Sequence, residues 1–253
     1  MKKFLSAFRS GFGFLTTIPV GITMEGIENL MKHIYFFPVV GALLGVIIGA
    51  VGYVSSLAFP PLIVSFIIIA AIYYLTGFNH IDGLADFGDG IAAHGTREKK
   101  VSAMRDTSLG TGGLLFCILA VIGLFSTLYS IIDSAYFFLP YVLVAAETSA
   151  KQAMVTVAAF GKSIHKGFGA LTVDNTKVSD FLTGLVFSGA VCYLLLGIYG
   201  IAALVISQIG GLIVLNSANR NFGGASGDVV GASNEIGRIL ALLTFGGIAW
   251  MLL

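Results

Sequence analysis

Seven apolar runs, each close to the length needed to cross a bilayer, dominate this chain. They cover 34–59, 61–78, 112–132, 135–160, 181–199, 201–218 and 236–253. A helix needs about 20 predominantly apolar residues to cross a hydrocarbon core of roughly 30 Å. The runs therefore predict an all-α, polytopic integral membrane helix bundle with about seven transmembrane helices, read as a single membrane-embedded domain over 1–253. The weakest division falls at Gly200, where two spans must turn almost without a loop. Composition agrees. The chain is 57% apolar and 11% charged, against roughly 45–50% and about 25% in soluble domains. That balance excludes a soluble domain, a disordered chain and a generic nucleic-acid binder.

The stretch 1–20 differs from the spans. Phe4, Leu5, Phe8, Phe12 and Leu15 fall near helical spacing, with Lys2, Lys3 and Arg9 between them. It reads as an amphipathic helix lying in the membrane interface. Arg9 interrupts the apolar pattern, which disfavours a cleaved signal peptide. Cys117 and Cys192 both sit inside apolar runs and read as small packing residues.

With seven spans, the connections alternate between two sides. One side receives Lys2, Lys3, Arg9, Lys32, Arg97, Lys99, Lys100, Arg105, Lys162, Lys166, Lys177, Arg220 and, at a helix start, Arg238. The other receives no Lys or Arg, and its only charge is Asp133. By the positive-inside rule the basic side is cytoplasmic, which predicts a cytoplasmic N-terminus. Lys151 alone lies within a span, four residues after Glu147. Ionisable groups inside a membrane mark either a functional interior or a neutralising pair that packs helices.

The longest polar segment, 79–111, holds Asp82, Asp86 and Asp89 at i, i+4 and i+7. On a helix that spacing puts three carboxylates on one face. Three like charges in a row repel and call for a cation, and oxygen ligands suit magnesium, with manganese as a substitute. The plainer reading is a solvated acidic face. Arg97, Lys100 and Arg105 follow and could neutralise phosphate, or could simply mark a positive-inside loop. His80 and His94 could be ligands or acid–base groups. Asp106, Thr107 and Ser108 form a polar turn that could also cap a helix.

A second polar segment, 219–235, reads RNFGGASGDVVGASNE from Arg220. Gly223, Gly224 and Gly227 permit a turn whose amides could face an anion. Asp228 could complete a metal site if the two segments meet, and Glu235 adds a carboxylate. The alternative is a flexible glycine-rich connection. No Gly-Lys-Ser/Thr follows, so it is not a nucleotide-binding Walker loop.

Three runs in this order, HIDGLADFGDG at 80–90, MRDTSLGTGG at 104–113 and GGASGDVVGASNE at 223–235, strongly resemble the cobalamin synthase family, the adenosylcobinamide-GDP ribazoletransferases. FLTTIPV at 14–20 and HKGFG at 165–169 add to the likeness, which covers the whole chain. The resemblance implies transfer of α-ribazole, or its 5′-phosphate, to adenosylcobinamide-GDP, with GMP leaving. It further implies magnesium dependence and residence in the cytoplasmic membrane. The lipid bilayer and the two substrates are the expected partners, nucleic acid is not, and a homo-oligomer is left open. Carried onto this sequence, Asp82, Asp86, Asp89 and Asp228 are expected as metal-binding and catalytic residues. His80, Arg97, Lys100, Arg105, Asp106, Lys151, Lys166, Arg220, Gly223, Gly224 and Glu235 are expected around substrate and phosphate. Two positions depart from the family pattern: Lys151 stands where arginine is expected, and Ser226 where threonine is usual. Lysine keeps the charge and loses the bidentate fork.

Two other classes compete. A CDP-alcohol phosphotransferase-like enzyme would use a similar acidic helix, but it expects arginine where this chain has Asp86. A divalent-cation transporter needs acidic residues along its spans, and only Glu147 qualifies.

Overall fold

The computed structural model describes residues 2–164 and 167–252. The elements follow in order as helices α1 (Lys2–Leu15), α2 (Met24–Met31), α3 (Phe36–Ser56), α4 (Pro61–Thr76), α5 (Asn79–Ala92), α6 (Arg97–Met104), α7 (Thr111–Ala135), α8 (Leu139–Phe160), α9 (Phe168–Asn175), α10 (Val178–Asn221) and α11 (Gly227–Leu252), with a 3₁₀ turn at Tyr136–Phe138 between α7 and α8. Among the described residues there is no strand; the one isolated bridge joins Ser163 to Ala225.

Three uninterrupted apolar stretches are long enough to cross a membrane: Phe36–Ser56, Thr111–Phe160 and Val178–Asn221. The latter two run to 50 and 44 residues. At 1.5 Å per residue, either would be more than twice as long as a roughly 30 Å core is thick, so each must contain two crossings. In the first, the 3₁₀ turn separates α7 from α8. In the second, the break lies at Gly197, with φ 58° and ψ −139°. A side chain is strained at that φ, and glycine is not. The chain then doubles back so tightly that a Cβ on Gly200 would collide with the Cys192 carbonyl. The turn expected at Gly200 is thus made three residues earlier. With α3, the two divided stretches make five crossing-length segments among the described residues, and α4 reaches that length only together with α5, from which it is bent by 93°.

Helix α8 is the hub. Every residue from Ala145 to Ala158 is buried, and α3, α10 and α11 pack around it. A helix buried all round lacks an amphipathic stripe, and α8 shows the matching mixture of Ala, Val, Ser and Thr. Helix α1 behaves as an interfacial element should. It packs on α2 and α3 while Phe4 and Leu5 stay 52% and 66% exposed.

The polar segments collect at one end of the bundle. Thr17 donates its backbone N–H to the Leu75 carbonyl at 2.8 Å, and the Ala225 N–H reaches the Lys162 carbonyl at 2.8 Å. Arg97 Nε donates to the Arg220 carbonyl at 3.4 Å. Segments that the spans predict on one side of the membrane are therefore in mutual contact.

Two boundaries change. The 79–111 segment is not an open loop but α5 and α6, and α5 turns 93° away from α4 after Gly77. Helix α5 packs there against α11, α7 and α6. In the 219–235 segment only the stretch between α10 and α11 is irregular, because α11 begins at Gly227.

Candidate functional site

Helix α5 presents its acidic face at the end of the bundle. Asp82 is exposed, while Asp86 and Asp89 are half-buried. The opposite face, with Leu84, Ala85 and Phe87, is buried, so the i, i+4, i+7 expectation describes the helix as it stands. Gly83 lets α5 approach α11 closely. A Cβ there would lie 2.9 Å from the Asp228 carbonyl oxygen and 3.0 Å from its Cα. That contact brings Asp228 beside Asp82 and Asp86, joining the two polar segments.

Asp228 occupies the first turn of α11. Ser226 caps that helix: its Oγ accepts the Val229 N–H at 3.3 Å and donates to Asp228 Oδ2 at 3.1 Å. A serine or threonine hydroxyl serves this purpose equally, so the departure at Ser226 leaves the local geometry intact.

The carboxylates repel one another. The Asp86 carboxyl is pushed up to about 7, first by desolvation, then by the charges of Asp228, Asp82 and Asp89. Asp89 is differently placed. It accepts the Gly110 N–H and the Gly113 N–H, each at 2.8 Å. It thereby anchors the start of α7, where free amides and the helix dipole favour a negative charge. Asp89, expected in the metal set, has each oxygen accepting one backbone amide and keeps a second lone pair on each.

Among the described residues no three His, Cys, Asp or Glu side chains form a ready-made metal cage. The donor chemistry nevertheless suits a hard divalent cation. Asp82, Asp86 and Asp228 offer oxygen ligands only, and a cation among them would relieve the repulsion that raises Asp86.

The basic residues divide. Lys100 Nζ donates to Asn221 Oδ1 at 2.9 Å and to the Ile91 carbonyl at 3.3 Å. With the Arg97–Arg220 contact, this ties α6 to the end of α10. Arg97, Arg105 and Arg220 are exposed at the rim. Asp106 is exposed and accepts the Ser108 N–H at 2.9 Å, a bond that holds its carboxyl below the usual range. Gly223 takes a φ of 87° in the turn before α11, where Gly224 packs against the Lys162 carbonyl. Lys166 lies outside the described residues.

Lys151 and Glu235 do not face the acidic helix. Both are fully buried, at 0% exposure. Lys151 Nζ donates to Asn234 Oδ1 at 2.6 Å and lies 3.7 Å from Glu147 Oε2. Arg238, also 0% exposed, joins Glu147 at 2.5 Å and Glu235 at 2.7 Å. Tyr73 donates its hydroxyl to Glu235 at 3.3 Å. Two cations and two carboxylates therefore neutralise one another inside the bundle. Lysine at 151 cannot snorkel to a phosphate, because its ammonium is already committed. Arg238, expected near a surface, lies 11 residues into α11. The visible signal for this network was a Lys, an Arg and two Glu within apolar runs, which in low dielectric must pair.

His80 is buried where α5 meets α11 beside Gly231, with Nδ1 lacking a partner. Desolvation holds its pKa well below the usual histidine value, and the charges of Lys151 and Arg238 lower it further. His94 is exposed.

Comparison with known proteins follows the same residues. Positions 7–246 match the family model described as Cobalamin-5-phosphate synthase. The adenosylcobinamide-GDP ribazoletransferases of Methanosarcina mazei and Methanosarcina barkeri are 44% and 45% identical over 280 residues, covering 100% of both chains in each case. That of Methanococcoides burtonii is 41% identical over 268 residues, covering 99% of each. No solved structure matches.

Proposed function

The chain belongs to the cobalamin-5-phosphate synthase family, and on that premise we propose that it joins α-ribazole, or its 5′-phosphate, to adenosylcobinamide-GDP and releases GMP. The observation that carries this reading is the docking of the α5 acidic face on Asp228 at the polar end of a membrane bundle. Full-length similarity to proteins named for this reaction supplies the substrates.

Asp82, Asp86 and Asp228 would hold magnesium, which when bound offsets the charge of the substrate diphosphate. Asp89 acts one step removed. By fixing the start of α7, it holds α5 in the orientation that points Asp82 and Asp86 at Asp228. Arg97, Arg105 and Arg220 at the rim offer positive charge to the phosphates and to departing GMP. A ribosyl hydroxyl attacks the cobinamide-linked phosphorus, the bond from that phosphorus to the GMP oxygen breaks, and the hydroxyl proton passes to a carboxylate. An oxygen of Asp228 left free by the metal would receive it. Such transfers gain chiefly from positioning and charge stabilisation, so no covalent enzyme intermediate is required. The expected site lies on the cytoplasmic face of the cell membrane, by the distribution of Lys and Arg.

The test is GMP release from adenosylcobinamide-GDP by purified protein in detergent, with α-ribazole and magnesium supplied. Release that needs both substrates supports the reading. Absence of release with either acceptor form overturns it.

A further inference from the structure

A cleft of about 380 Å³ opens beside Asp228, where α1, α3, α5, α8, α9 and α11 meet. That volume falls within the roughly 300–1,000 Å³ typical of small-molecule sites. Phe14 and Phe37 line it, with ring centroids 6.1 Å apart and planes tilted by 32°. Met154 and Ile22 add further apolar surface, and no Lys or Arg is among its described lining residues. Its polar lining is Asn79, His80, Thr172 and Asp228. His80 is 7% exposed, and its Nδ1 has no hydrogen-bond partner. A buried ring nitrogen left unpaired has lost its water without compensation. A ligand that pairs it recovers that loss.

These features ask for a particular shape. Aromatic and thioether walls favour a flat ring. A free imidazole nitrogen favours a ring that offers a nitrogen lone pair. Asp228 at the same cleft favours a hydroxyl nearby. We propose that this cleft is the acceptor subsite and holds a ribonucleoside with a planar, uncharged nitrogen heterocycle as its base. His80 Nδ1–H donates to an unsubstituted ring nitrogen of that base, and the ribosyl hydroxyl reaches Asp228. Any 5′-phosphate points out of the cleft toward the basic rim. The corrinoid nucleotide, far too large for this volume, lies over the open α5 face. This assignment rests on the proposed reaction, since it decides which of the two substrates enters the cleft.

The test is calorimetric titration of the full chain in detergent with α-ribazole, which requires no turnover, together with steady-state kinetics. His80→Ala weakens α-ribazole binding roughly tenfold, the loss of one hydrogen bond. His80→Asn, which keeps a donor near the same place, restores most of it. Ile22→Trp, at a position 45% exposed and so tolerant of folding, fills the mouth and weakens binding at least as much. In all three, KM for adenosylcobinamide-GDP moves by less than about twofold, a split that general unfolding would not produce. Unchanged α-ribazole affinity in both His80→Ala and Ile22→Trp overturns the subsite, even where GMP release proceeds normally. If GMP release fails while α-ribazole binds with these dependences, the reaction is wrong and the cleft remains a nucleoside-binding site.

Discussion

Single side chains divide into those that meet substrate and those that hold others in place. Asp86 belongs to the first kind, because it shares the acidic face of α5 with Asp82 and would help hold the metal at the substrate phosphates. Asp86→Asn is expected to lower turnover by roughly a hundredfold or more, as for a lost ligand of a catalytic metal. Helical content, followed by circular dichroism, should be unchanged. Asp89 belongs to the second kind. Asp89→Ala removes two bonds to the start of α7 and should cost about 1–2 kcal/mol of stability, as for other helix caps, read as a lower melting temperature in detergent. The buried network is stricter still. Glu147→Gln leaves Arg238 and Lys151 with one carboxylate between them, and breaking a buried pair from one side costs about 3–5 kcal/mol. A melting temperature equal to that of the parent would contradict the assigned pairing. The sequence marked Glu147 and Lys151 as notable, but not that Asn234, Glu235 and Arg238 complete their set. Spacing along a chain cannot show which faces of α8 and α11 meet.

Among the elements, α5 carries the most consequence. Its acidic face was legible because a period of 3.6 places residues 82, 86 and 89 together whatever the surroundings. Its direction was not, since the 93° turn after Gly77 depends on packing against α7 and α11. Spans were legible for a similar reason: apolar length alone is demanding in a membrane. The break in α10 was placed at Gly200 rather than Gly197 because both glycines can make it, and only tertiary contact chooses. The approach of α5 to α11 yields its own prediction. Gly83→Ala inserts a Cβ 2.9 Å from the Asp228 carbonyl and forces the helices apart. Turnover should fall at least about tenfold, given the sensitivity of catalysis to sub-ångström placement. Gly247→Ala, where a Cβ meets nothing within 4 Å, serves as the control. Equal activity in the two variants would show that this close approach does not matter.

Across the whole molecule, one end of the bundle is polar and in mutual contact, and the other end consists of short turns. That asymmetry predicts an orientation. Ala58→Cys, in the turn between α3 and α4, should react with a membrane-impermeant thiol reagent on intact cells, whereas Ser102→Cys on α6 should react only after lysis. The reverse pattern would put the polar end outside. Most directly, the central claim is that the α5 carboxylates and Asp228 form one site for ribazole transfer. It is tested by GMP release from adenosylcobinamide-GDP with α-ribazole, in the parent and in Asp86→Asn and Asp228→Asn, with magnesium present and then chelated. The account predicts release by the parent with magnesium, loss on chelation, and loss of roughly a hundredfold in both variants. Full release in either variant, or release indifferent to chelation, would contradict it.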